Sequence, residues 1–155
     1  MKKLINQILK FGIVGVIAFF VDFVVFMAVT MALGKTNVSD LFARIVGGFF
    51  GFTISVIVNY VLSMKFVFTR KKDISRKKEF TVFLILSLIG LLLNEVLLAL
   101  GTAFFNHAFA EFAKNHVNIV SVIDKVFATG IVMVYNFVSR KIFLEDHSAN
   151  KEDTE

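Results

Sequence analysis

The chain has 155 residues, 57% of them apolar in type, with 20 phenylalanines and no proline, cysteine or tryptophan. Its mean hydropathy of +0.77 is too high for an ordinary soluble domain, and the lack of cysteine excludes disulfides, CxxC redox pairs and thiolate metal sites. A net charge of +5 points to nucleic acid only until the charges are placed: they cluster at the ends of apolar runs, as membrane topology demands.

A helix needs about 20 mostly apolar residues to cross the hydrocarbon core. The first such run covers residues 8–33 and is broken only by Lys10 and Asp22. Its length and its acid argue against a cleaved signal peptide. The second covers 43–68, with Lys65 near its end, and the third covers 80–105 and contains Glu95. The fourth, 120–144, must draw in Lys125 at one end and Arg140 and Lys141 at the other; long basic side chains there reach the interface. The expected fold is all-α: a polytopic membrane domain over 1–144 with four transmembrane helices, followed by an acidic, disordered tail over 145–155.

Orientation follows from lysine and arginine. With the amino terminus cytoplasmic, every basic residue except Lys35, Arg44, Lys114 and Lys125 lies inside or at an inner helix end. That bias predicts cytoplasmic amino and carboxyl termini. The basic segment 70–78 then lies beside anionic membrane lipids.

The chain also repeats itself. Phe11, Gly15, Ala18 and Asp22 match Phe83, Ser87, Gly90 and Asn94 at identical spacing, and Asn59-Tyr60-Val61 matches Asn136-Phe137-Val138. Basic residues and then aromatics follow both of the latter triplets, so the four spans read as two repeated helical hairpins.

Polar residues inside the spans are the candidate site. Small or polar residues recur at every fourth position of the second span: Gly47, Gly51, Ser55, Asn59 and Ser63. Close helix packing accounts for the glycines and Ser55. Asn59, an amide that needs partners, either closes the same seam or touches a ligand. The fourth span carries Lys125, Thr129, Asn136 and Arg140 on a comparable face. Lys125 and Lys141 are about 24 Å apart at 1.5 Å per residue, less than the core thickness of about 30 Å, so at least one lies at or below the membrane boundary. Lys141 reads as a helix-end anchor; Lys125, beside Asp124, reads as an anchor or a functional cation. Asp22 lies about 18 Å along the helix from Lys10, near the midplane. A charge there costs at least about 2.5 kcal/mol on insertion scales, so it should face a polar interior, with Gly15 and Ala18 leaving room beside it.

Three stretches carry a resemblance: Phe11-x3-Gly15-x6-Asp22, Asn59-Tyr60-x4-Lys65-Phe66-Val67-Phe68, and Lys125-x10-Asn136-Phe137-x2-Arg140-Lys141. In that order on four spans they resemble the GtrA-like family of bacterial membrane proteins. The resemblance implies movement of a polyprenyl-phosphate-linked monosaccharide, such as undecaprenyl-phosphate glucose, across the cytoplasmic membrane. The sugar then decorates a surface polysaccharide or teichoic acid. Some teichoic-acid relatives have arginine where Ser87 stands and a second asparagine where Ser63 stands. On this reading Lys65 and Arg140 capture phosphate at the cytoplasmic side, and Lys125 with Arg44 meets it nearer the outer side. Asp22, Asn59 and Asn136 line a polar seam and bind sugar hydroxyls. A polyprenyl-phosphate glycosyltransferase is the implied functional partner, and four spans, few for a complete pathway, leave room for a homo-oligomer.

Two rivals remain at this stage. One is a small multidrug exporter, which the absence of tryptophan and the strong charge bias oppose; the other is a non-transporting anchor for a glycosyltransferase. Catalysis is not expected, because His107, His116 and His147 fall in loops or tail and no nucleophile–base group, metal-ligand spacing or cofactor motif is present. Nucleic-acid binding is not expected either, since topology explains the basic run.

Overall fold

The computed structural model describes residues 2–71 and 73–146, so most of the expected tail lies outside the described residues. Among the described residues five helices follow one another: α1 (Lys2–Leu33), α2 (Asp40–Phe66), α3 (Arg76–Ala108), α4 (Ala110–Asn115) and α5 (Val117–Leu144). All but α4 are long and apolar enough to cross a membrane, yet only 11% to 28% of their most apolar windows is buried inside the protein. Phe19, Phe49 and Phe127, for example, are exposed. Water could not tolerate so much bare hydrocarbon, and a bilayer covers it.

The helices start earlier than their apolar runs, and local capping explains two of the starts. The Ser39 hydroxyl accepts from the Phe42 amide at 3.3 Å at the head of α2. Ser75 does the same for Lys78 at 3.3 Å at the head of α3. The second cap moves Arg76, Lys77 and Lys78 from the expected loop onto the first turn of α3. Likewise His107 belongs to the last turn of α3 rather than to a loop, and α4 was not foreseen.

The described residues divide into two compact units, one of residues up to 80 together with 144–146 and one of residues 81–143. In the first, α1 and α2 form an antiparallel hairpin whose seam is made by the small-residue stripe. Ala43, Gly47, Gly51, Ser55 and Ser63 are all buried. A Cβ added to Gly51 would stand 2.6 Å from Asp22 Oδ1 and 2.9 Å from the Asp22 carbonyl oxygen; one on Gly47 would stand 2.5 Å from Thr30 Oγ1 and 3.1 Å from the Phe26 carbonyl. Only hydrogen at these positions lets the two backbones approach this closely. Phe11 of α1 packs edge-on against Phe68, just past α2, at 5.9 Å. After α5 the chain returns to this unit: Gln7 donates to Glu145 at 2.7 Å, the Asp146 amide donates to the Thr69 carbonyl at 2.8 Å, and Arg70 and Glu145 form an isolated β-bridge.

In the second unit α3 pairs with α5, also antiparallel. A Cβ on Gly90 would stand 3.0 Å from Asn136 Oδ1, and one on Gly101 would fall on the Asp124 carboxylate. The repeat is visible in burial. Phe11, Val14 and Ala18 of α1 and Phe83, Leu86 and Gly90 of α3 are buried at the same spacing, as are Ala43, Gly47 and Gly51 of α2 and Val120, Asp124 and Ala128 of α5. Carried further, the same correspondence pairs Thr30 with Thr102 and Gly47 with Asp124. Thr30 sits against Gly47, and Thr102 donates to Asp124 at 3.2 Å.

Adjacent glycines separate packing from propensity. Gly51→Ala is expected to destabilise the protein by about 1–3 kcal/mol through overpacking. Gly48→Ala, where nothing lies within 4 Å of the added Cβ, is expected to be neutral or mildly stabilising. Thermal unfolding in detergent, followed by helical circular dichroism, distinguishes the two.

Candidate functional site

The second half of α2 and the first turn of α3 carry aromatic and basic residues at helical spacing, and the chain between them is short. Capping by Ser75 therefore brings the basic start of α3 alongside the end of α2. Between them, all within the first unit, lies a cavity of about 500 Å³ lined by Tyr60, Val61, Met64, Lys65, Arg70, Arg76, Lys77 and Phe80. Four cations thus line one concavity that also holds two aromatic rings, Tyr60 and Phe80, packed edge to face at 5.1 Å. The volume suits a ligand of monosaccharide-phosphate size.

One wall of the cavity is braced by a buried acid. Glu79 is 2% exposed and its Oε1 accepts from the Tyr60 hydroxyl at 2.8 Å and from Arg70 Nε and Nη2 at 3.2 and 2.7 Å. Arg70 Nη2 also donates to the Tyr60 oxygen at 3.1 Å. The hydrogen bond to Glu79 holds the Arg70 guanidinium above its ordinary, already high, value, so its positive charge is permanent. Glu79 fixes both the arginine and the phenol.

The residues singled out in the sequence are distributed as follows. Lys65 is exposed at the end of α2 and lines this cavity. Asn59 lies one turn before Ser63, whose hydroxyl donates to Asn59 Oδ1 at 3.1 Å. Asp22 is half-buried beside Gly51, and Arg44 is exposed near the start of α2, roughly 32 Å along the helix from Lys65. In the second unit Asn136 and Arg140 stand one turn apart on the side of α5 that meets α3. Asn136 Oδ1 is buried without a hydrogen-bond partner among the described residues. Arg140 is 2% exposed; its Nη2 donates to Ser87 Oγ at 3.0 Å and its guanidinium lies over the Phe83 ring at 3.9 Å, a cation–π contact. Lys125 is exposed, whereas its neighbour Asp124 is buried. The inward-facing member of that pair is the acid.

The cavity therefore adds Tyr60, Arg70, Arg76, Lys77 and Phe80 to the residues that the sequence suggested, with Glu79 behind two of them. Arg76 and Lys77 read there as topology signals, and the approach of Glu79 to Tyr60 depends on the turn between helices, which no local spacing reveals.

Two hairpins of membrane-crossing helices with this polar pattern agree with the comparison of sequences: the GtrA/DPMS transmembrane domain matches residues 10–144. The chain belongs to this family. As a GtrA/DPMS domain it is a multi-pass membrane protein of lipid-linked sugar handling. Comparisons with curated proteins and with solved structures gave no match.

Removing the Glu79 carboxylate leaves Arg70 without its ionic partner. Glu79→Ala is expected to lower stability by about 1–3 kcal/mol, a figure kept low because the Arg70 side chain is one-third exposed to screening. Glu79→Gln, which retains an acceptor for Tyr60, should lose less. Unfolding midpoints of the two variants in the same detergent provide the check.

Proposed function

We propose that this GtrA/DPMS domain translocates a polyprenyl-phosphate-linked monosaccharide, an undecaprenyl-phosphate sugar, across the bacterial cytoplasmic membrane for glycosylation of a surface polysaccharide or teichoic acid. The observation that carries this reading is the cavity where Lys65, Arg70, Arg76 and Lys77 surround the aromatic pair Tyr60 and Phe80. A phosphate ester needs cations, with arginine serving as a planar fork and lysine as a point charge. A sugar ring presents C–H faces that pack on aromatic rings and hydroxyls that need polar partners. Both demands meet in one concavity.

The excess of basic residues puts this end of the first hairpin, and both termini, on the cytoplasmic side. A cytoplasmic-facing glycosyltransferase then supplies the loaded lipid. Asp22, Asn59 and Asn136 offer carboxylate and amide groups to the hydroxyls at intermediate depth. Arg140 neutralises phosphate from the second hairpin, and Arg44 and Lys125 do so nearer the outer face. The prenyl chain stays in the bilayer against the apolar helix faces. Consumption of the sugar lipid outside makes the exchange run downhill, so no coupling ion is required.

Reconstituted in liposomes, the protein is expected to move a fluorescent sugar lipid between leaflets. Lys65→Ala combined with Arg76→Ala should slow this by about tenfold or more, the worth of one charge-assisted contact to phosphate, while Lys65→Arg keeps most of the rate. Asp22→Ala and Lys125→Ala should also reduce transport at unchanged protein levels. Full activity in the Lys65/Arg76 double variant overturns the phosphate assignment. Absence of transport by the intact purified protein favours the anchoring role beside a glycosyltransferase.

A further inference from the structure

The second hairpin contains a cavity of different chemistry. It has a volume of about 420 Å³ and lies between α3 and α5, where Phe104, Phe105 and Phe127 contribute aromatic walls and Asp124 contributes a carboxylate. Gly101 is also part of the lining, and it makes the acid possible: a side chain there would occupy the space of the Asp124 carboxylate. Asp124 is 7% exposed and accepts from the Thr102 hydroxyl at 3.2 Å.

Depth makes this arrangement costly. Gly101 is four residues inside the end of the third apolar run (80–105) and Asp124 four inside the start of the fourth (120–144), so the acid lies roughly 6 Å below the boundary of the apolar segments. A carboxylate held there by one neutral hydroxyl is poorly compensated. Its neighbour Lys125 is exposed, on a different side of the helix. The repeat sharpens the point: the equivalent position of the first hairpin is Gly47, which packs directly against Thr30. Packing of this position against a threonine therefore needs no acid.

We infer that this cavity is a binding site for a monovalent lipophilic cation, with Asp124 as the counter-charge and Phe104, Phe105 and Phe127 as an aromatic rim open to the bilayer. Aromatic rings attract a cation through their faces, more strongly when water is excluded. A single buried carboxylate selects one positive charge, and the otherwise apolar lining rejects strongly hydrated ions. This site is separate in chemistry from the cationic cavity and does not depend on the sugar-lipid reading; an anionic phosphate would be repelled by Asp124.

The test uses the full-length protein in lipid nanodiscs with tetraphenylphosphonium as the probe and its uncharged isostere tetraphenylmethane as the control. Saturable binding of tetraphenylphosphonium is expected, weakened about tenfold or more by Asp124→Asn, which keeps the shape and the contact with Thr102 while removing the charge. Phe127→Leu should weaken it by a smaller factor, and sugar-lipid transport by Asp124→Asn should persist. Equal binding of the neutral isostere, or unchanged affinity in Asp124→Asn that retains native helicity and monodispersity, overturns the proposal and leaves lipid acyl chains as the occupant. Failure of the intact protein to bind the cation overturns it as well.

Discussion

Hydrocarbon offers no hydrogen bonds, and that constraint governs everything else in this chain. Each crossing segment must satisfy its own backbone, which leaves the helix as the form available to a run of about 20 apolar residues. Once helical, the segments gain nothing from burying leucine against leucine rather than against lipid. What draws them together is close backbone approach and polar contact. Gly47 and Gly51 supply the first for α1 and α2, and the Asp22 carboxylate lies against the very glycine that admits it. The second hairpin uses Gly90 and Gly101 in the same way against Asn136 and Asp124. In both, a missing side chain on one helix creates the niche for a polar one on the other.

The two hairpins are variations on one plan, and their differences carry the chemistry. Positions buried as Phe11, Val14 and Ala18 recur as Phe83, Leu86 and Gly90, so the scaffold is common to both. On it, Asp22 is matched by an amide, Gly47 by an acid and Ser63 by an arginine. Ser63 and Arg140 are both almost wholly buried, yet the arginine must reach Ser87 and the face of Phe83 to satisfy its charge. Such exchanges on a shared plan leave an acid among phenylalanines in the second hairpin, while the cations gather where the end of α2 meets the first turn of α3.

Much of this was legible in the sequence for a physical reason. Membrane insertion is read along the chain, so hydropathy and the placement of lysine and arginine reveal the spans directly, and the repeat shows itself through polar residues that stand out against an apolar background. The packing role of Gly47 and Gly51 follows from fourth-residue spacing alone. Capping was less visible: Ser75 sits in a basic stretch that reads as a loop, although it starts α3 and lifts Arg76 and Lys77 to the cavity. Tertiary pairing was not visible at all. Of the adjacent pair Asp124 and Lys125 the cation drew attention, while the residue turned toward α3 is the acid, and nothing in the spacing of Tyr60, Arg70 and Glu79 announces that they share one oxygen.

The return of residues 144–146 to the first unit has a consequence for biosynthesis. Leu144 is fully buried and Glu145 nearly so; Glu145 meets Gln7 near the start of the chain and Arg70 in its middle, and the Asp146 amide meets Thr69 beside it. A hairpin that leaves the ribosome first thus acquires its final contacts last, after α5 has been threaded into the bilayer. Until then the connection between α2 and α3 lacks these contacts, and the nascent first hairpin is held by its glycine seam and by Phe11 against Phe68. Emergence of residues 144–146, rather than insertion of the second span, sets the moment at which the cationic cavity gains its full support.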